Sequence, residues 1–221
     1  GEILLIVVGI LIALQLNNWN EWRKERQAEK QILIRLKTEL ETNSKQLSVL
    51  LKGLAVKEKG LESVNSAFEG YSLESRELFL QRVIESSLWG WTVIPQQKVI
   101  FNELNNTGEL GIIRNVELRE EIAKLYNRVE VMELTTLART GDYAKSVYAL
   151  VPREKENQLK LDLSSEEQAI IVDAVLKSDL NRLITYEQNR TVYLSNVWQK
   201  ISKRTEDVNT QIEAEITRLE K

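Results

Sequence analysis

Leu33, Leu40, Leu47, Leu54, Leu61 and Phe68 recur at every seventh position, and no proline interrupts them. A companion row three residues further on reads Leu36, Asn43, Leu50, Lys57, Val64 and Tyr71. Seven residues make close to two helical turns, so the double row places one continuous apolar seam along one side of a long helix. A strand is excluded, because its faces alternate at every residue. The seam must be covered either by other helices of the chain or by a second copy, and the spacing is compatible with both. Asn43 and Lys57 interrupt the second row, where polar groups fix register at some cost in stability. Gly53 and Gly60 each weaken a helix by about 1 kcal/mol relative to alanine, so a bend is expected near them.

Breakers are scarce throughout: 9 Gly and 2 Pro in 221 residues argue for helices rather than a sheet with many turns. A second helix is expected from about Leu73 to Leu88, with Leu80, Val83 and Ile84 inward. A third carries Val99, Ile100 and Leu104 and stops at Thr107-Gly108, where glycine suits the left-handed position after a helix. Asn115 is placed to cap a fourth, with Glu117 in its first turn and a stripe of Leu118, Ile122, Leu125, Val129 and Met132. That helix is expected to continue past Gly141 and to end before Pro152. Ser164 and Glu167 form a capping box, and a last helix is expected from about Leu180 to the end. The expected class is all-α: residues 1–18 as a transmembrane helix, then 19–221 as an extramembrane helical bundle with long first and last helices.

The N-terminal reading rests on Ile3–Leu16, an apolar run without a charge. A run of this length falls short of the roughly 20 residues that span a bilayer, so a soluble core helix is the competing reading. Three features favour the membrane. The run is apolar around its whole circumference, unlike a surface helix. It opens at Gly1, so it is expected to begin further upstream. It ends in Asn17, Asn18, Trp19, Asn20 and Trp22, and the two indoles suit the water–lipid interface. Gly9 and Ala13 share one face, either as a close-packing surface between two membrane helices or as ordinary membrane-helix composition. The stretch from Trp22 to about Leu40 is expected to protrude as a membrane-proximal stalk that only a second chain shields.

The chain contains no His and no Cys, which removes the usual zinc ligands, thiol nucleophiles and histidine general bases. Its net charge of −3, with basic and acidic residues interleaved, argues against a nucleic-acid partner. Glu120-Glu121 and Glu166-Glu167 are adjacent pairs whose members point about 100° apart on a helix, so neither pair shares a proton or a metal. Gly108 and Gly111 lack the Lys and Ser/Thr of a phosphate loop. No catalytic residue, cofactor or metal site is expected. Trp89 and Trp91 flank Gly90 and either line a ligand or protein contact or plug one end of the bundle.

The stretches GEILLIVVGILIALQLNNWNEWRKER and FNELNNTGELGIIRNVELREEIAKLYN resemble a family of single-pass bacterial envelope proteins, catalogued as a domain of unknown function. The resemblance implies a cytoplasmic N-terminus, an inner-membrane span and a periplasmic helical domain. It carries no activity and no catalytic residue. The function expected is a non-enzymatic, membrane-anchored interaction or scaffold protein of the cell envelope. Its expected partners are the lipid bilayer and either a second copy or another envelope protein. The alternative is an extracytoplasmic sensory or small-ligand-binding domain that acts through a partner.

Overall fold

The computed structural model describes residues 1–72, 75–88, 96–137, 141–152 and 161–220. Every regular element among them is helical: α1 (Glu2–Phe68), α2 (Arg76–Ser87), α3 (Val99–Thr107), a 3-10 turn (Glu109–Ile112), α4 (Val116–Leu137), α5 (Asp142–Leu150), α6 (Ser165–Leu176) and α7 (Leu180–Leu219). The first and last are the longest, at 67 and 40 residues.

Local chemistry sets most of the boundaries. α1 stops where Gly70 takes a left-handed φ of 91° and the Tyr71 N–H bonds back to the Ser66 carbonyl. Ser75 caps α2, accepting the Leu78 N–H at 3.1 Å. Gly108, with φ 77°, ends α3 as its position predicts. Asn115 caps α4 through the Leu118 N–H at 3.1 Å, and Ser164 with Glu167 completes the capping box of α6. One expectation is corrected: α4 ends at Leu137, and Asp142–Leu150 form a separate helix that starts after Gly141.

The described chain divides into two compact units, and α1, α4 and α7 contribute to both. One comprises Gly1–Ser44, Gln97–Asn127 and Arg204–Lys221. Here α1 and α7 run antiparallel: Lys30 pairs with Glu220 at 2.9 Å and Lys37 with Glu213 at 3.0 Å, seven residues on in one helix and seven back in the other. Leu33, Leu36, Leu40, Leu104, Leu118, Ile122, Val208 and Ile212 are buried in this unit. The expected stalk is therefore corrected. Leu33 and Leu36 are 0% exposed, because the chain returns alongside α1 and covers its seam. Val99 points to solvent, since the first turn of α3 docks through its backbone N–H groups on Glu39.

The other unit comprises Lys45–Gln96 and Arg128–Lys203. α2 packs on α5 and α6, and these two pack on each other. Leu61 and Val64 of α1 join Phe79, Val83, Ile84, Tyr143, Val147, Val175 and Ile184 in one core. Leu47, Leu50 and Leu54 are buried as well. α1 passes through Gly53 and Gly60 as one helix. At Gly60 the absence of a side chain lets α2 approach backbone to backbone: a Cβ there would lie 2.5 Å from the Ser86 nitrogen and 2.8 Å from the Arg82 oxygen. Neither atom can swing aside. Gly60→Ala is therefore expected to destabilise the protein by up to about 2 kcal/mol in urea unfolding, since overpacking of about 1–3 kcal/mol is offset by a helix-propensity gain of about 1 kcal/mol. Gly111→Ala, where nothing lies within 4 Å, should remain close to the parent.

Candidate functional site

The N-terminal part of α1 is apolar and uncovered. Ile6, Val7, Ile10, Leu11, Ile12, Leu14 and Leu16 are each between 48 and 63% exposed. Successive helical residues turn by about 100°, so Ile10, Leu11, Ile12 and Leu14 present apolar surface in every direction. Gly9 meets nothing within 4 Å of a notional Cβ, and Ala13 is exposed, so the face they share is open. Among the described residues, no helix is long and apolar enough to cross a membrane.

Below the apolar run stands an aromatic and cationic collar. Trp19 and Trp22 are 57 and 47% exposed. The Arg23 guanidinium lies 5.9 Å from the Trp19 ring centre, and that of Arg26 lies 5.4 Å from the Trp22 ring centre. Both are cation–π contacts one helical turn long. The collar sits on the same helical face as the seam, because positions 19, 22, 26, 29, 33, 36 and 40 step alternately by three and four. Where the seam is covered its residues are leucines, and where the covering helices run out they become Trp and Arg. Glu29 lies at the changeover, 0% exposed, taking Arg26 at 3.0 Å and the Arg114 backbone N–H at 2.8 Å.

Two buried groups on α1 fasten the start of α3. Glu39 accepts the Ile100 N–H at 2.7 Å and the Tyr126 hydroxyl at 2.6 Å. Burial, then that carboxylate, push the Tyr126 phenol well above its ordinary range. Asn43, the first polar interruption of the seam, both accepts the Gln97 N–H (2.7 Å) and donates to the Gln97 carbonyl (2.9 Å).

The second interruption, Lys57, is buried in the other unit against Glu187, which also receives Arg190 at 3.2 Å. Desolvation holds the Lys57 amine below the ordinary lysine range, opposed by Glu187 and reinforced by Arg190. Lys57 and Glu187 are both 1% exposed, so they act on the fold and not on a solute. Beside them in the core, the Tyr143 hydroxyl lies 2.8 Å from the Ser86 hydroxyl. The same unit carries a cleft of about 400 Å³ lined by Lys59, Ser63, Ser66, Tyr71, Phe79 and Arg82. Arg82 is held by Glu85 at 2.6 Å.

Of the residues singled out by sequence, Leu33, Leu36, Leu40, Leu47, Leu50 and Leu54 are interior, and Gly9, Ala13, Trp19 and Trp22 are on the surface. Trp89 and Trp91 lie outside the described residues. Glu120 and Glu121 both pair with Lys124 at the surface, and Glu167 serves its cap. No cluster of acidic side chains among the described residues suits a metal ion. Sequence reasoning missed Glu39, Glu29 and Glu187. For Glu187 a signal existed: it recurs on α7 with Leu194, Ile201, Val208 and Glu215 at every seventh residue, an acidic interruption of one seam to match the basic one in the other.

Residues 2–136 match a family of unknown function (DUF6090). The chain belongs to this family. No curated protein and no solved structure matches it. The DUF6090 region spans α1 to nearly the end of α4, so it contains the collar, Glu39 and Asn43 with their partners, and Lys57. Glu187 lies beyond it, so the lysine inside the family region is neutralised from outside that region. Glu187→Gln is expected to cost about 3–5 kcal/mol in chemical denaturation, because it removes the carboxylate that neutralises the buried Lys57. Lys57→Met should cost clearly less, since Arg190 still neutralises Glu187.

Proposed function

We propose that this chain is a non-enzymatic helical interaction protein anchored to a membrane of the bacterial cell envelope by the N-terminal part of α1. The observation that carries the reading is the uncovered apolar surface of Ile6–Leu16 ending at Trp19 and Trp22. Exposing this much apolar side chain to water is unfavourable by about 25 cal/mol per Å², and indoles favour the layer between lipid tails and water. At 1.5 Å per residue Ile3–Leu16 reaches about 21 Å, against roughly 30 Å of hydrocarbon, so by themselves these residues support insertion into the bilayer but not a complete span. The seam does not serve self-association in this reading, since the chain covers its own leucines. The open face of Gly9 and Ala13 is the surface left for contact with another membrane helix.

Liposome flotation tests the anchor. The full chain should rise with vesicles, and Leu11→Lys with Leu14→Lys should leave it at the bottom of the gradient with unchanged helicity by circular dichroism. Flotation of the double variant to the same extent as the parent would remove the proposal.

The cleft beside Lys59 and Arg82 favours a second reading, a small-ligand-binding domain that acts through a partner. A specific ligand must raise the melting temperature, by RT ln(1 + [L]/Kd) in free energy. A thermal-shift screen of small carboxylates and phosphates is expected to give no shift if anchoring and interaction are the whole function, whereas a saturable rise would favour the cleft.

A further inference from the structure

The two Trp–Arg pairs of the collar are built alike but are not completed alike. In the inner pair the Arg26 guanidinium has the Trp22 ring on one side and the Glu29 carboxylate, 3.0 Å away, on another. Arg26 is thereby neutralised, and its side chain is only 18% exposed. In the outer pair Arg23 lies over Trp19 in the same i, i+4 relation. The position that supplies Glu29 to Arg26, three residues on, supplies Arg26 to Arg23. The other helical neighbours of Arg23 are Trp19, Asn20 and Gln27, so no acid stands three or four residues away. Arg23 makes no ion pair with a carboxylate among the described residues, and it is exposed. Of the other basic side chains nearby, Lys30 is held by Glu220 and Arg114 by Glu25, whereas Lys24 has neither an ion pair among the described residues nor a ring to hold it in place.

We propose that Arg23, held over Trp19, binds the phosphodiester of a membrane lipid, and that the collar consequently prefers an anionic bilayer. This inference rests on the membrane anchoring proposed above and names the chemical partner of that surface. The lipid phosphate takes the place that Glu29 fills for Arg26. A guanidinium is suited to it, because its planar fork gives two parallel N–H donors to two phosphate oxygens while its face stays on the indole. Height along the helix fits as well. Trp19 comes just after the apolar run, past Asn17 and Asn18, so an indole at the tail–headgroup boundary sets the cation one turn further on, among the headgroups. Anionic headgroups add the attraction of their net charge for Arg23 and the exposed Lys24, and this part is screened by salt.

The test uses the full chain and two vesicle compositions, phosphatidylcholine alone and phosphatidylcholine with phosphatidylglycerol, with partition read from tryptophan fluorescence and from flotation. The parent should partition more strongly onto the anionic vesicles, and raising the salt should narrow the gap. Arg23→Gln is expected to lower partition onto anionic vesicles by about fivefold, and by less onto phosphatidylcholine, which offers the phosphodiester without a net charge. Arg23→Lys should restore only the salt-sensitive part, since it returns the charge without the fork. Equal partition of the parent onto both compositions, or an anionic preference undiminished in Arg23→Gln, would overturn the inference and leave the anchor standing. Failure of the parent to bind either vesicle would overturn the anchor itself.

Discussion

A 67-residue helix with one apolar face is held by what covers that face, and the rest of this structure is arranged to cover α1. The leucines from Leu33 to Leu61 are buried one turn after another, each removing enough apolar surface from water to contribute about 1.5–3 kcal/mol. In the unit that begins at Gly1, α7 lies antiparallel along it, and α3 and α4 are fastened to it through Glu39 and Glu29. In the other unit α2 comes so close that Gly60 has no room for a methyl group. The helix stops being covered only towards its N-terminus, where the sequence changes from leucine to Trp and Arg and then to an unbroken apolar run.

Polar groups on the seam are where specificity enters. An apolar contact tolerates sliding by a heptad, but a buried amine, amide or carboxylate without a partner costs about 1–3 kcal/mol or more. Asn43 is satisfied by both backbone groups of Gln97, and Lys57 by Glu187, so each of the two is satisfied at its own register only. The carboxylates buried along α1 serve a related end. Glu39 takes the N–H groups that open α3, a helix whose own N-cap residue Lys98 makes no side-chain cap bond. The buried Glu39, Asn43, Lys57 and Glu187 are thus committed to holding helices in place.

Membership of the DUF6090 family covers the region in which α1 changes from a buried to an open helix. The proposed anchoring treats that change as the functional feature: the same face that packs leucines against the bundle presents indoles and guanidiniums where the bundle ends. In the proposed lipid contact, the difference between Arg26, completed by an internal carboxylate, and Arg23, which lacks one, is what would give the surface a chemical preference.

Periodicity and caps were legible in the sequence because they are local. The all-helical class, the long first and last helices, the Gly108 end, the Asn115 cap and the Ser164–Glu167 box each follow from residues within a turn of one another. The side on which the leucine seam lies was equally legible. What covers it was not, because a seam has the same spacing whether its partner is a distant part of the chain or a second copy. Tertiary structure alone brought Glu187 to Lys57 across 130 residues and Tyr126 to Glu39 across 87. It also turned Val99 outward, because the backbone of α3 rather than its side chains makes the contact with Glu39. Gly60 shows the division most directly: from sequence it is a weak point in a helix, and only the approach of α2 makes it the one residue that fits.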